Sequence, residues 1–178
     1  MEDQRPKTKE HIREVQKQIH TVIYALKDRA KNHDASKLES PEREIFDEYT
    51  PKLRDSTYGS DKYKQYLKEM KPALDHHYAN NRHHPEHFKK YVCNGCFTEY
   101  LDTQPNVCGG CGYSQFQLES NISGMNLVDL IEMLCDWKAA TKRHADGDIL
   151  KSIELNQKRF GYSDELKSIL LNTVEVLA

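Results

Sequence analysis

The stretch CNGCFTEYLDTQPNVCGGC constrains this chain more than any other. Cys93, Cys96, Cys108 and Cys111 form two C-x-x-C pairs separated by eleven residues. A glycine inside each pair permits the tight turn that lets both thiolates face one ion, and four sulfurs make the closed tetrahedral set of a structural zinc. No ligand position is left open for catalysis, and the paired spacing disfavours free thiols in a reducing cell. Residues 91–119 place aromatic and β-branched residues between Gly and Pro turns, so short β-strands are predicted there, forming a zinc-ribbon insertion. Phe97, Tyr100, Tyr113 and Phe116 are expected to be its miniature core, because small folds depend on few apolar groups. Base stacking is the alternative for them if they are exposed. Such a module can staple a fold, dock a partner or touch nucleic acid, so it does not by itself define a function.

Helices are predicted on both sides of the ribbon. From about Thr8 to Lys31 the residues Ile12, Val15, Ile19, Val22, Ile23, Leu26 and Ala30 recur at helical spacing, with His11 opening a stripe expected to be buried. Ser40 as N-cap and Pro41 at the first helical position start a second helix to about Tyr49, and 51–60 reads as loop. A charged helix over 61–70 and one from about Pro72 to His84, stopped by Pro85, complete the first part. Further helices follow over about 126–144, 148–160 and 163–177. The expectation is an all-α fold with helical residues 1–90 and 120–178 interrupted by the ribbon at 91–119.

Composition sets limits on partners. The net charge of -2 gives no overall pull toward a polyanion, so nucleic acid stays open as a partner without being favoured. The N-terminus lacks an apolar signal region, and no window approaches the roughly 18 apolar residues of a membrane span. A cytoplasmic location without membrane association is therefore expected. Homo-oligomerisation is left open. The fifth cysteine, Cys135, falls on an apolar arc and is read as a buried core thiol.

A second group of residues bears on chemistry. The stretch DHHYANNRHHPEH, from Asp75 to His87, holds five of the nine histidines. On a helix His77, Asn81 and His84 share one face, and His76, Asn80 and His83 the adjacent one. In NLVDLIEMLCDWKAA the apolar residues cover more than half the circumference, leaving Asp129, Glu132 and Asp136 as a narrow acidic strip. A strip on so apolar a helix should face cations or a wet cavity, the alternative being a solvated acidic face. The strip, the pair His33–Asp34 and the doubled histidines are all satisfied by one divalent metal held between helices.

The order of His11, His33–Asp34 in NHDASKL, and Asp136 in EMLCDWKAA resembles the H…HD…D signature of the HD-domain metal-dependent phosphohydrolases. The blocks HDxSK, HHYxxNxHH and EMLCDWKA together resemble an uncharacterised HD-like family of bacteria and their phages. This resemblance covers the chain apart from the ribbon. It implies an HD-like helical bundle in which His11, His33, Asp34 and Asp136 hold a divalent metal (Mn, Co, Ni, Fe, Mg or Zn), with His77 and His84 placed for a second ion. The spacing from His11 to His33 is short for the superfamily, and His20 is a rival to His11 as first ligand.

The implied reaction is attack of a metal-activated water on a nucleotide or other small phosphate ester, in the host cytoplasm if the chain is phage-encoded. Lys37, about one helical turn from Asp34, is a candidate contact for a phosphate oxygen, with an exposed surface lysine as the alternative. Arg82 is a second phosphate candidate. Glu132 is a candidate to orient the attacking water or act as general base. His76, His83, Glu86 and His87 are expected to lie behind the ligands or outside the site. The competing reading is a non-catalytic, zinc-stabilised module binding nucleic acid or protein, whose nucleic-acid form would show steep salt dependence.

Overall fold

A computed structural model of the chain describes residues 4–57, 60–142 and 147–177. It is mostly helical, with one small three-stranded antiparallel sheet. The chain divides into two compact units, residues 1–33 and 34–178.

The first unit is one long helix, α1 (Arg5–Asn32), with Pro6 in its first turn, where a missing N–H costs nothing. The predicted apolar periodicity is present, but no residue of α1 is buried. The unit contains no second element to cover the stripe, and Ile12 and Val22 remain 48% and 45% exposed. Helical spacing reports which residues share a face; what covers that face is decided elsewhere.

The second unit begins with a short 3-10 turn over Ala35–Leu38, followed by α2 (Glu42–Arg54), α3 (Asp61–Glu69) and α4 (Lys71–Asn80). Pro41 occupies the N-cap position of α2 rather than its first turn, and the helix runs through Pro51, which was expected to begin a loop. Ser60 caps α3, its side chain accepting from the Tyr63 N–H. Helix α4 stops at Asn80, four residues before the expected end, because Asn81 turns extended with φ -122° and ψ 102°. A turn over 82–84 and a 3-10 turn at Pro85–His87 follow.

Strands β1 (Lys89–Cys93), β2 (Glu99–Leu101) and β3 (Phe116–Ser120) form the sheet in the order β2-β1-β3. Tyr91 pairs with Tyr100 on one side and Leu118 on the other, while Lys90 sits between Leu101 and Glu119. The Lys90 ammonium bonds Glu99 at 2.9 Å and Glu119 at 3.3 Å, tying both outer strands to the middle one.

Helices α5 (Leu127–Thr141), α6 (Ile149–Phe160) and α7 (Asp164–Val176) pack together at the C-terminal end of the second unit. Asn126 and Asp129 form a reciprocal capping box on α5, and Gly161 closes α6 with φ 65°, a conformation costly for residues bearing a Cβ. The expected end of the first of these helices, near His144, lies outside the described residues. The apolar core is Met133, Leu134, Ile153, Tyr162 and Leu170, with Trp137 stacked on Phe160 at 6.3 Å between ring centroids. Cys135 is exposed, correcting its reading as a core thiol. Among the described residues no helix is long and apolar enough to cross a membrane.

Candidate metal centres

The four cysteines meet as their spacing predicts. All four sulfurs lie within 4.8 Å of one another, with Cys93–Cys111 at 3.6 Å and Cys96–Cys108 at 3.4 Å. Zinc–sulfur bonds of about 2.3 Å place tetrahedral sulfurs roughly 3.8 Å apart, so the set fits one ion after a small adjustment. A Cβ on Gly95 would sit 3.3 Å from the Cys111 sulfur and 3.2 Å from Tyr113, and one on Gly110 would sit 3.1 Å from the Thr98 hydroxyl.

The electrostatics of the sulfurs also ask for a cation. A hydrogen bond from the Tyr100 hydroxyl holds the Cys108 thiol down at about 5, despite some loss of solvation. The N–H of Tyr113 lowers the Cys111 thiol, but the facing sulfurs of Cys96, Cys93 and Cys108 outweigh it and push Cys111 up to about 12. Four thiolates do not coexist here without positive charge among them. The expected miniature core is half right. Tyr100 meets Phe116 edge to face at 5.8 Å, whereas Phe97 and Tyr113 are 75% and 46% exposed.

A second donor set forms inside the second unit, where residues distant in sequence converge. Asp34, His77, His83 and His84 each offer one atom within 4.8 Å of the others. His77 Nε2 lies 3.3 Å and His83 Nε2 3.4 Å from Asp34 Oδ1, and His77 Nε2 lies 2.9 Å from His84 Nε2. Ligand bonds near 2.1 Å put neighbouring donors about 3.0–3.4 Å apart around one ion, so this spacing fits a divalent metal.

Local sequence explains the assembly. Asp34 adopts φ 55°, a left-handed conformation that Asp tolerates better than most residues. His77 comes from α4 and is buried. His83 and His84 return to it because the chain leaves the helix after Asn80, not because they continue its face. Three ties hold that return in place: Arg82 on Asp129 of α5 at 3.1 Å, Arg159 of α6 on Glu86 at 2.5 Å, and His87 Nδ1 with the Tyr78 carbonyl at 2.8 Å.

The charges suit a cation. Burial raises the Asp34 carboxyl, but the facing His77 and His83 rings and the Lys37 ammonium overcome it and hold the group well below the usual carboxylate range. Burial, with the neighbouring His83 and His77, pushes His84 down to about 3, leaving a neutral imidazole with a lone pair to give. The Glu42 carboxyl is fully buried, which raises it, yet hydrogen bonds from His76, Ser36 and His77 keep it below its ordinary value.

The remaining sequence-predicted residues have the following positions and partners. His11 and His33 belong to the first unit, His11 on an exposed face of α1 and His33 at its C-cap, and His20 is likewise exposed on α1 with its Nδ1 on the Gln16 carbonyl. Asp136 is half-buried on α5, close enough for its charge to act on His84. Lys37 bonds Asp34 Oδ2 at 2.6 Å and lies over the Phe46 ring. Arg82 packs on Phe88 besides pairing with Asp129, and Glu132 lies 3.2 Å from His83 Nδ1. His83, expected behind the ligands or outside the site, is 1% exposed and inside the donor set. Glu42 reads in the sequence only as a charge favouring a helix start; nothing local marks it as buried.

No curated protein and no solved structure matches the chain. Residues 1–176 match the family described as "Family of unknown function (DUF5662)", and the chain belongs to that family.

Proposed function

We propose that this protein is a metal-dependent phosphohydrolase of the HD type, acting on a nucleotide or other small phosphate ester, with a structural zinc in its four-cysteine module. The observation that carries the reading is the convergence of Asp34, the aspartate of the His-Asp pair, with three imidazoles from a distant part of the second unit. Hard carboxylate oxygen and borderline imidazole nitrogen together suit a first-row divalent metal better than calcium or a thiophilic ion. A bound divalent ion would supply Lewis acidity toward a phosphoryl oxygen.

The chain's own residues prepare the site for that role. Lys37 fixes the Asp34 carboxylate and offsets its charge, a positioning task that replaces the phosphate contact expected of it. His84 stays neutral, so no proton must leave before it can donate its lone pair. Arg82 keeps the turn carrying His83 and His84 against α5 and is committed to Asp129. The phosphate ester as substrate class rests on the resemblance of HDxSK, HHYxxNxHH and EMLCDWKA to HD-like hydrolases.

The test is phosphate release from a panel of nucleoside mono- and triphosphates with manganese, cobalt, nickel, iron, magnesium or zinc added, comparing wild type with Asp34→Asn. Asn tolerates the left-handed backbone at 34, so the variant removes charge without breaking the turn. Turnover in the wild type and its loss in the variant support the reading. Equal release from both sinks it.

A second reading, a partner-binding role for the ribbon, is supported by Phe97, 75% exposed on a residue with φ 59°. It predicts that Phe97→Ser abolishes binding to a partner while leaving zinc content intact.

A further inference from the structure

Two buried carboxylates stand directly behind the histidines of the donor set, on their far ring nitrogens. Glu42 Oε2 lies 2.8 Å from His77 Nδ1, and Glu132 Oε1 lies 3.2 Å from His83 Nδ1. Glu42 is 0% and Glu132 8% exposed, and they come from different helices, α2 and α5. Burial of two carboxylates is expensive unless each is compensated. Helix capping does not account for Glu42, which lies just inside α2 and whose carboxylate oxygens are taken by His76, His77 and Ser36.

The arrangement fixes a tautomer. An ionised carboxylate only accepts hydrogen bonds, so the Nδ1 of His77 must carry the hydrogen that Glu42 receives. The Asn81 amide nitrogen also lies 3.0 Å from that nitrogen, but its two hydrogens have closer acceptors in Ser36 Oγ and the His77 carbonyl, each at 2.8 Å. In the neutral ring His77 Nε2 then carries the lone pair, facing Asp34 Oδ1 and His84 Nε2, and the Glu132–His83 pair repeats the pattern.

We propose that Glu42 and Glu132 are the positioning residues of this site, holding His77 and His83 as Nδ1–H tautomers so that both present Nε2 lone pairs toward Asp34. The ion-binding half of this inference rests on reading the donor set as a metal centre; the tautomer half does not. Such carboxylate–histidine pairs also raise ligand basicity, and losing one typically weakens metal binding about 10- to 100-fold. The role replaces the one expected of Glu132: it acts through His83 and not on a water molecule.

The experiment uses the full chain with zinc in the cysteine module and has two readouts. Long-range nitrogen–proton NMR of the histidine rings, without added metal, identifies each tautomer. Titration with manganese alone measures affinity for wild type, Glu42→Gln, Glu132→Gln and His76→Ala. Expected are Nδ1–H tautomers for His77 and His83, and binding weaker by about 10- to 100-fold in each glutamine variant at unchanged melting temperature. His76→Ala should weaken binding less than Glu42→Gln, because His76 is one of three groups on that carboxylate and reaches it from the exposed side.

Nε2–H tautomers at both rings in wild type would overturn the proposal, as would wild-type manganese affinity in both glutamine variants. If Glu42→Gln does not fold, Glu132→Gln and the wild-type tautomers still decide. Correct tautomers in a wild type that binds no manganese would uphold the positioning and sink the metal-dependent function instead.

Discussion

The sulfur site and the histidine site gather the same number of donors within the same 4.8 Å, yet they are built in opposite ways. The sulfurs come from two short knuckles joined by a small sheet, and their neighbours are glycines, a tyrosine hydroxyl and backbone N–H groups. The histidine site draws Asp34 from a 3-10 junction, His77 from α4 and His83 and His84 from a turn, with carboxylates from α2 and α5 behind them. A local site needs its ion to exist at all. A distributed site is assembled by helix packing and can persist without one.

That contrast sets the largest expected effect. Structural zinc contributes about 10–16 kcal/mol of apparent binding free energy in small modules, and this doubles as folding energy. Chelation, or Cys93→Ser combined with Cys108→Ser, should therefore melt β1, β2 and β3 while α5, α6 and α7 stay folded around Ile153 and Leu170. Backbone NMR reports both at once. A sheet that keeps its amide dispersion after zinc removal would break the comparison, because the module would then be holding itself together.

The histidine site should respond in the other direction. Asp34→Asn is expected to eliminate manganese binding and to lower phosphate release by at least about 100-fold, a loss of about 2.7 kcal/mol or more in transition-state stabilisation. The helical circular dichroism should not change. A cooperative loss of helix in this variant would show that the ion, and not packing, assembles the second site, making the two centres alike.

The same contrast explains what the sequence made legible. Cys93, Cys96, Cys108 and Cys111 declare themselves because their spacing is local chemistry, and α5 and α7 are visible from helical patterning that starts near Asn126 and Ser163. The donor set was half visible. Asp34, His77 and His84 stand out, but treating 72–84 as one helix puts His83 on the face beside theirs, whereas the backbone leaves the helix after Asn80 and turns His83 inward. Glu42 and the ties of Arg82 and Arg159 are long-range facts with no local periodicity to announce them. Cys135 misled for a related reason: an apolar arc on α5 says which residues could be buried, and packing covers Met133 and Leu134 while leaving Cys135 and Leu127 exposed.

Arg82 offers a sharper test of how the distributed site is held. Its guanidinium is partly exposed, but Asp129 is fully buried and also receives the Asn126 N–H. Arg82→Met should cost about 1–3 kcal/mol, the penalty for a buried acceptor losing its donor, read in urea unfolding of zinc-loaded protein. With metal saturating, the KM for any substrate found should stay within twofold. A large rise in KM with little loss of stability would return Arg82 to the phosphate-contact role its sequence position implied.

The smallest effect belongs to Gly110. A methyl group there would lie 3.1 Å from the Thr98 hydroxyl, which itself bonds the Cys96 sulfur at 3.0 Å, so the strain passes to one of the four sulfurs. Overpacking of this kind costs about 1 kcal/mol at the mild end, equivalent to roughly fivefold weaker zinc binding. Competition with a zinc chelator should resolve that change, and manganese affinity at the histidine site should not move. If Gly110→Ala weakens both ions together, the ribbon and the helices are mechanically one site, and the division between a locally built and a distributed centre fails at its finest grain.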